Sequence, residues 1–513
     1  MYASLYSMGL AGIDGRVVTV EADSAPGQFY FEVVGLPDAA VREARERVRS
    51  AMRNSGLPFG SGRMIVNLAP ADMRKVGPAF DLPILVCVAL ASEAIAQPAV
   101  ELSKAVIFGE ISVSGEVRPV PGALPMTIEA KRHGFTSVFL PEENAAEASY
   151  VDGVDIYPVS SVRQLAAHIG GGRRIEPQPH RTPDPGRHYD GMPDFSDVKG
   201  QLMPRRAAEI CAAGGHNMLL IGGPGCGKSM ICSRLPSIMP DMTPDEIIET
   251  TKIYSIIHAL SREEPVMDHR PFRSPHHTVS AIALCGGGSV PRPGEVSLAH
   301  NGILYLDELP QFDRMALEAL RQPLEDNKVT ISRATGQLTF PCSTVFVCSM
   351  NPCPCGHFGQ PNAKCTCSET AISRYLSRLS GPLLDRMDLH VDVLPVDFDK
   401  LSGNERAECS ADIRSRTNAA RRIQQKRFEG TDVSCNAKMS PAQQRECCAL
   451  DARSAALLRN AFDRLGLSAR AYDRIVRVAR TIADLDASEN IRAEHVAEAI
   501  SYRSLDRKYW KRG

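Results

Sequence analysis

Nine consecutive residues of a 513-residue chain, Ile221-Gly222-Gly223-Pro224-Gly225-Cys226-Gly227-Lys228-Ser229, have the types and spacing to hold a nucleoside triphosphate. They fit G-x-x-x-x-G-K-[ST] between the apolar run Met218-Leu219-Leu220 and the helix-compatible Met230-Ile231-Cys232-Ser233-Arg234-Leu235. Strand before and helix after is the context that separates a phosphate-binding loop from a chance cluster of glycines. Gly222, Gly223, Gly225 and Gly227, with Pro224 and Cys226 between them, would let successive backbone N–H groups turn toward one anion at a helix N-terminus. Lys228 would reach the β- and γ-phosphates, and the Ser229 hydroxyl would ligate Mg²⁺. The competing reading is a glycine-rich turn with an exposed lysine.

Hydrolysis needs more than a phosphate cradle. In Asn301-Gly302-Ile303-Leu304-Tyr305-Leu306-Asp307-Glu308 the apolar run reads as a buried parallel strand that ends in two acids. Asp307 would hold the Mg²⁺ shell and Glu308 would polarise the attacking water. A third run, Val345-Phe346-Val347-Cys348-Ser349-Met350-Asn351, ends in an amide able to position that water, unless Asn351 is an ordinary loop cap. Next to it stand two C-x-C pairs, Cys353/Cys355 and Cys365/Cys367, with Gly356, Gly359 and Pro361 between them. They could wrap one tetrahedral Zn²⁺, with His357 as a substitute ligand; the alternative is four free thiols in a polar loop.

These residues need a framework. The length suggests about three domains, and 43% hydrophobic content supplies each with a core. A net charge of −1 provides no global field for nucleic acid, so any such binding would come from local patches or from copies arrayed in a ring. No charged segment followed by an apolar one opens the chain, and the longest apolar run, Leu82 to Ala91, is too short to span a bilayer. The 15 cysteines are odd in number and scattered. A cytoplasmic protein with no membrane partner is expected.

Residues 1–168 read as a mixed α/β domain, with strands at Val17–Ala22, Phe29–Val34 and Met64–Leu68, the first two paired. An arginine-rich helix is expected over Asp38–Ser55, its arginines on a solvated face, and a buried helix over Phe80–Ala91. Residues 169–191, rich in Pro, Gly and charge, read as a linker. Residues 192–400 would be the nucleotide core. Its spacing from Lys228 to Asp307 calls for an insert, placed at Phe272–Gly294, and Val329–Phe340 reads as a hairpin. Residues 401–513 read as a helical lid with a basic, aromatic-bearing tail, a weak nucleic-acid signal.

Two segments, Lys75-Val76-Gly77-Pro78-Ala79-Phe80-Asp81-Leu82-Pro83 and Gly109-Glu110-Ile111-Ser112-Val113-Ser114-Gly115-Glu116-Val117-Arg118-Pro119-Val120, resemble the proteolytic domain of Lon proteases. Only the scaffold matches: Ala79 stands where that family has its nucleophilic serine, and Pro121–Pro125 replaces the stretch with its lysine. Asp194–Gln201 resembles the segment that opens AAA+ ATPase domains. Further segments are Phe272-Arg273-Ser274-Pro275-His276-His277, Pro291–Glu295, Ser297–Gly302, Asn351-Pro352-Cys353-Pro354-Cys355-Gly356 and Ser380–Arg386. With these, nearly the whole chain resembles the ComM/YifB family of magnesium-chelatase-like AAA+ proteins.

The resemblance implies a Lon-like (ribosomal S5 domain 2-like) α/β domain, a P-loop AAA+ parallel-sheet core and a helical lid. ATP and Mg²⁺ would be the cofactors and a homo-hexameric ring the working unit. Arg386 matches the arginine finger that reaches a neighbouring subunit's γ-phosphate, and Arg470 matches the second sensor arginine of the lid. The insert and hairpin of this AAA+ branch face the central channel, where Arg273, His276, His277 and Arg333, beside Arg270, would meet DNA. The function so implied is an ATP-driven helicase or branch-migration translocase on single-stranded or branched DNA, in recombination of incoming DNA during natural transformation. The alternatives are a magnesium-chelatase-type motor subunit and an ATP-dependent protein-remodelling or protease-like factor.

Overall fold

The computed structural model describes the chain except residues 61, 185–188, 190, 289–290, 334–335, 361–363, 397–406, 504, 506–508 and 511–513; of Arg333 and Gly336 it describes the backbone alone. The chain divides into two units. Unit 1 comprises Met1–Asp184 and Pro244–Met267; unit 2 comprises Pro185–Thr243 and Asp268–Gly513.

Unit 1 is built on strands β1 (Tyr2–Ala11), β2 (Asp14–Ala25), β3 (Tyr30–Val34), β4 (Arg63–Ala69), β5 (Ala105–Ile107), β6 (Glu110–Ile111), β7 (Val117–Arg118), β8 (Ser137–Pro141) and β9 (Asp155–Val159). Seven of them form one sheet in the order β3-β4-β2-β1-β5-β8-β9. β1 and β2 pair antiparallel from Tyr2↔Asp23 to Ala11↔Asp14, across a two-residue turn that Gly12 enters at φ 69°. The expected pairing of Val17–Ala22 with Phe29–Val34 does not occur, because β4 lies between them, antiparallel to β2 and parallel to β3. Parallel neighbours need a long crossover, and the helix Ala39–Asn54, capped by the Asp38 side chain, provides it. The helix Asp81–Ala91 is buried almost throughout, which fits its continuous apolar sequence.

Three further features of unit 1 depart from the sequence reading. Arg47 is not part of a solvated face: its Nε and Nη2 donate to Asp81 Oδ2 and Oδ1 at 2.7 and 2.9 Å, and Asp81 is fully buried. The segment Pro244–Met267, whose helix Pro244–Ile256 buries Ile247, Thr250, Thr251, Ile253 and Tyr254, belongs to this unit and not to the nucleotide core. It is tied there by Gly122 N–H to Ser255 O at 3.0 Å and by Lys252 Nζ to Asp14 Oδ1 at 2.9 Å. The stretch after the helix Val162–Ile169 also lies on unit 1, through buried Ile175 and the N–H groups of Gln178 and Arg181, which donate to Ile156 O and Ser149 O.

Unit 2 is built on β10 (Met218–Gly222), β11 (Phe272–Arg273), β12 (Gly286–Gly287), β13 (Arg292–Pro293), β14 (Ile303–Leu306), β15 (Lys328–Arg333), β16 (Gly336–Pro341), β17 (Val345–Met350) and β18 (Leu389–Val393). Five strands form an all-parallel sheet, β11-β14-β17-β10-β18. Every residue of β10, β14 and β17 is buried, as a parallel sheet covered on both faces requires. Phe272–Arg273, expected inside an insert, is instead the edge strand beside β14; the excursion follows it. β15 and β16 form the antiparallel hairpin expected before β17, and Ile331 packs against Gly286 of the smaller β12–β13 hairpin.

The C-terminal helices Ser410–Arg427, Ala452–Leu465, Ala469–Leu485 and Ala493–Ser501 share one hydrophobic cluster with β10 and β18. The tail is not a free basic arm in its described part. Arg503 and Tyr509 are buried, Tyr509 packs on Phe358 at 6.2 Å and Trp510 on His390 at 5.7 Å, while Arg507, Lys508, Lys511 and Arg512 lie outside the described residues. Among the described residues no helix is long and apolar enough to cross a membrane.

Candidate functional site

The sheet order sets β14, β17 and β10 side by side, so their C-terminal ends meet at one edge, where ligands bind in open parallel sheets. After β10 the chain turns through Gly225 (φ 73°) and Gly227 (φ 90°) into the helix Lys228–Arg234. Only glycine takes those angles without strain, which is why the loop turns its N–H groups to one side. Lys228 Nζ donates to Gly222 O and Gly223 O at 2.8 Å each and to Asn351 Oδ1 at 3.1 Å. Burial lowers its pKa. The lysine is thus folded back on the loop, at the place a phosphate would compete for it.

Ser229 Oγ donates to Asp307 Oδ2 at 2.9 Å. Asp307 also accepts from Ser349 Oγ, which in turn accepts from Tyr305 O–H at 3.2 Å. Partial burial acts to raise the Asp307 pKa, but the hydrogen bonds from Ser349 and Ser229 prevail and hold the carboxyl below its usual range. Ser229 and Asp307 therefore present adjacent hard oxygens suited to Mg²⁺. Glu308 follows in a left-handed conformation (φ 52°) with its side chain exposed, an unusual backbone state for a residue with a Cβ. Lys228, Ser229, Asp307, Glu308 and Asn351 are brought together at one edge. Ser349 and Tyr305 were missed in sequence; the one available signal was the period of two that puts Ser349 and Asn351 on the same side of a strand.

Arg386 and Arg470 are brought together elsewhere. They line a cleft of about 270 Å³ with Asn217, Glu325, Asp385 and Arg474, and none of residues 222–229, 307, 308 or 351 lines it. Arg386 donates to Pro382 O at 2.7 Å and pairs with Glu325; Arg470, with a side chain 70% exposed, lies 3.7 Å from Asp385. The backbone of Arg386 is braced by Asn217 Nδ2 and Arg474 Nη1, each 2.9 Å from its carbonyl oxygen. Arg474 also pairs with buried Asp388, which accepts from the Asn217 N–H at 3.0 Å. Nothing in the sequence marked Asn217, Asp388 or Arg474.

The four cysteines converge. Their sulfurs all lie within 4.8 Å of one another, and among the described residues the group is these four without His357. Cys353 is buried and the others half-buried. Backbone N–H groups, of His357 first and then of Thr366, hold the Cys355 thiol down to about 5.

Three family models match in succession: "Subunit ChlI of Mg-chelatase" over residues 20–144, "Magnesium chelatase, subunit ChlI" over 194–401, and its C-terminal counterpart over 407–503. The YifB protein of Escherichia coli K12 is 40% identical over 504 residues, 98% of this chain and 97% of that protein. Competence protein ComM of Haemophilus influenzae is 39% identical over 510 residues, 98% of both chains. The chain belongs to the ComM/YifB family of magnesium-chelatase-like AAA+ proteins. A weaker, local similarity links it to Lon protease 1 of Hydrogenovibrio crunogenus, 26% identical over 165 residues, 30% of this chain and 20% of that one. Membership of this AAA+ family implies an ATPase using ATP and Mg²⁺, and the four-cysteine group could hold a metal.

The residues expected to meet DNA in this family have mixed fates. Arg273 is engaged by Glu295 through two hydrogen bonds, Nε to Oε2 at 2.7 Å and Nη2 to Oε1 at 2.9 Å. Arg270 is buried and donates to the carbonyls of Pro240, Asn301 and Asp241. Both guanidiniums are engaged within the chain, Arg270 buried against carbonyls and Arg273 half-buried against Glu295. His276 and His277 stack at 4.0 Å, His276 exposed. The Arg333 side chain lies outside the described residues, though its backbone ends β15. Arg292 on β13 and Lys328 at the base of the hairpin are exposed.

Proposed function

We propose that this protein is an ATP-hydrolysing, ring-shaped motor that acts on DNA in the cytoplasm, a helicase or branch-migration translocase in recombination of incoming DNA. The observation that carries this reading is the similarity over 98% of both chains to a protein named for competence, in a chain whose nucleotide residues converge. In the proposed cycle Lys228 leaves its carbonyl partners for the β- and γ-phosphates, Ser229 and Asp307 hold the Mg²⁺ shell, and Glu308 with Asn351 orients and polarises the water. Arg386 and Arg470 share a cleft that the phosphate-binding loop does not line. They are therefore assigned to the γ-phosphate of a neighbouring subunit, which makes a closed homo-hexameric ring the unit of hydrolysis.

The DNA grip is assigned to the β15–β16 hairpin with Arg333, helped by His276, His277 and Arg292, and no longer to Arg270 or Arg273. Repeated around a ring, one cation per subunit becomes a circle of phosphate contacts. The test is ATPase turnover with and without single-stranded, duplex and branched DNA, together with unwinding of a forked substrate. Stimulation by DNA, lost in Arg333→Glu while basal turnover stays intact, is expected. Unchanged turnover with every DNA refutes the reading. Activity that appears only with a porphyrin-handling partner would favour a chelatase motor, the reading suggested by the names of the matching family models.

A further inference from the structure

We infer that Cys353, Cys355, Cys365 and Cys367 hold one Zn²⁺, and that this metal knot fixes the loop that carries Asn351 against the phosphate-binding loop, so that ATP turnover depends on the metal. The inference rests on the ATP-site reading given above, and adds to it a site and a requirement.

The sulfur geometry is that of a single tetrahedral ion. A Zn–S bond of about 2.3 Å sets the edge of an S₄ tetrahedron near 3.8 Å. Here Cys353 and Cys355 are 3.4 Å apart, Cys353 and Cys365 3.7 Å, Cys355 and Cys365 3.6 Å, and all four sulfurs lie within 4.8 Å. These separations are too long for disulfides, which need about 2.05 Å, and all four thiols are free. They are too short for thiolates spread over the separate irons of a cluster. The Phe358 N–H donates to Cys353 Sγ at 3.3 Å, an outer-shell bond of the kind that orients a metal ligand. Phe358 in turn packs on buried Tyr509.

The knot abuts the ATP site at two points. Asn351, which accepts from Lys228 Nζ at 3.1 Å, precedes the first ligand by two residues. Gly356, directly after the second ligand, takes φ 80°, and a Cβ there would lie 2.5 Å from Pro224 Cδ of the phosphate-binding loop. A Cβ at Gly223 would in turn lie 3.1 Å from Gly356 O. The turn between the ligands therefore lies directly against Gly223 and the Pro224 ring of the phosphate-binding loop. From Asn351 to Ser368 no helix or strand holds the described chain; four metal–sulfur bonds would supply the order that hydrogen-bond ladders supply elsewhere.

The test uses the full chain purified without chelator, with zinc measured by inductively coupled plasma mass spectrometry and turnover measured without DNA. One zinc per chain is expected in the wild type and in a Cys409→Ala control, and none in Cys365→Ala or Cys367→Ala. Turnover in the zinc-free variants should fall at least about tenfold, the scale of a small misplacement of catalytic groups. To exclude misfolding as the cause, removal of zinc from the wild type with a chelator, followed by return of Mg²⁺, should abolish turnover, and added Zn²⁺ should restore it. Absence of zinc, or iron in its place, overturns the metal assignment; full turnover by zinc-free protein overturns the coupling. A wild type that holds zinc but neither binds nor hydrolyses ATP would instead refute the ATP-site reading.

Discussion

Removing the Ser349 hydroxyl tests whether Asp307 is held ready for Mg²⁺ by its neighbours. Asp307 accepts from both Ser229 and Ser349. Once Ser229 turns to the metal, Ser349, completely buried and fed by Tyr305, is the side-chain donor that remains beside the Glu308 N–H, which donates to Asp307 Oδ1 at 2.9 Å. A hydrogen bond to a charged group contributes about 1.5–3 kcal/mol, so Ser349→Ala should lower Mg²⁺-dependent turnover about 10- to 100-fold. Tyr305→Phe removes only a neutral bond at 3.2 Å and should cost about threefold. The pH dependence has a definite sign. The folded-state pKa of Asp307 is depressed, so its ionised form persists to lower pH than in the unfolded chain; without Ser349 the pKa rises and the acid limb of turnover moves to higher pH. The assay is steady-state ATP hydrolysis against Mg²⁺ concentration and pH, with circular dichroism to confirm folding. Turnover and Mg²⁺ midpoint within about twofold of wild type, or a larger effect from Tyr305→Phe than from Ser349→Ala, would refute the reasoning.

Lys228→Ala should abolish ATP binding, whereas Glu308→Gln should retain binding and lose about 100-fold or more in turnover, as measured by nucleotide titration and phosphate release. Arg386→Ala should be inactive alone, yet an equal mixture with Glu308→Gln should recover about a quarter of wild-type turnover if subunits assort at random in a head-to-tail ring. No recovery in assembled mixtures would place Arg386 in its own subunit's site. Arg47→Ala leaves Asp81 buried and unpaired, which should destabilise unit 1 by about 3 kcal/mol at pH 8. Burial pushes the Asp81 pKa up to about 6, so the deficit should shrink at pH 5, where the folded state gains the proton; equal melting shifts at the two pH values would count against it. The Lon-like region should cleave no peptide, with or without ATP, since Ala79, Leu124 and Pro125 offer neither nucleophile nor base.

How much of this could be read from the sequence follows from how far each argument reaches along the chain. The phosphate-binding loop, the acids after Leu306 and the amide after Met350 are local patterns, because each side chain occupies the end of its own buried strand. A run of apolar residues and a terminal polar group are visible wherever they occur. The β15–β16 hairpin was legible for the same reason, as was the clustering of two C-x-C pairs within 15 residues, Cys353 to Cys367. Strand order was not, since apolar content says that a strand is buried and not which strand lies beside it; hence β4 between β2 and β3, and Phe272–Arg273 as a sheet edge.

Charge was the least legible property. Arg42, Arg45, Arg47 and Arg49 look alike in sequence, yet only Arg47 meets Asp81, and Arg270 and Arg273, which by sequence could equally face DNA, are held by carbonyls and by Glu295. A guanidinium is solvated or satisfied according to which acceptors the fold brings within 3 Å or so, and those acceptors lie tens to hundreds of residues away. The brace around Arg386 joins Asn217, Asp388 and Arg474, and the contact of Gly356 with Pro224 joins the cysteine knot to the phosphate-binding loop. Sequence alone determined which residue types stand at the strand ends, because each occupies the end of its own buried strand; the packing of distant segments decided which charges are engaged and which groups hold those side chains in place.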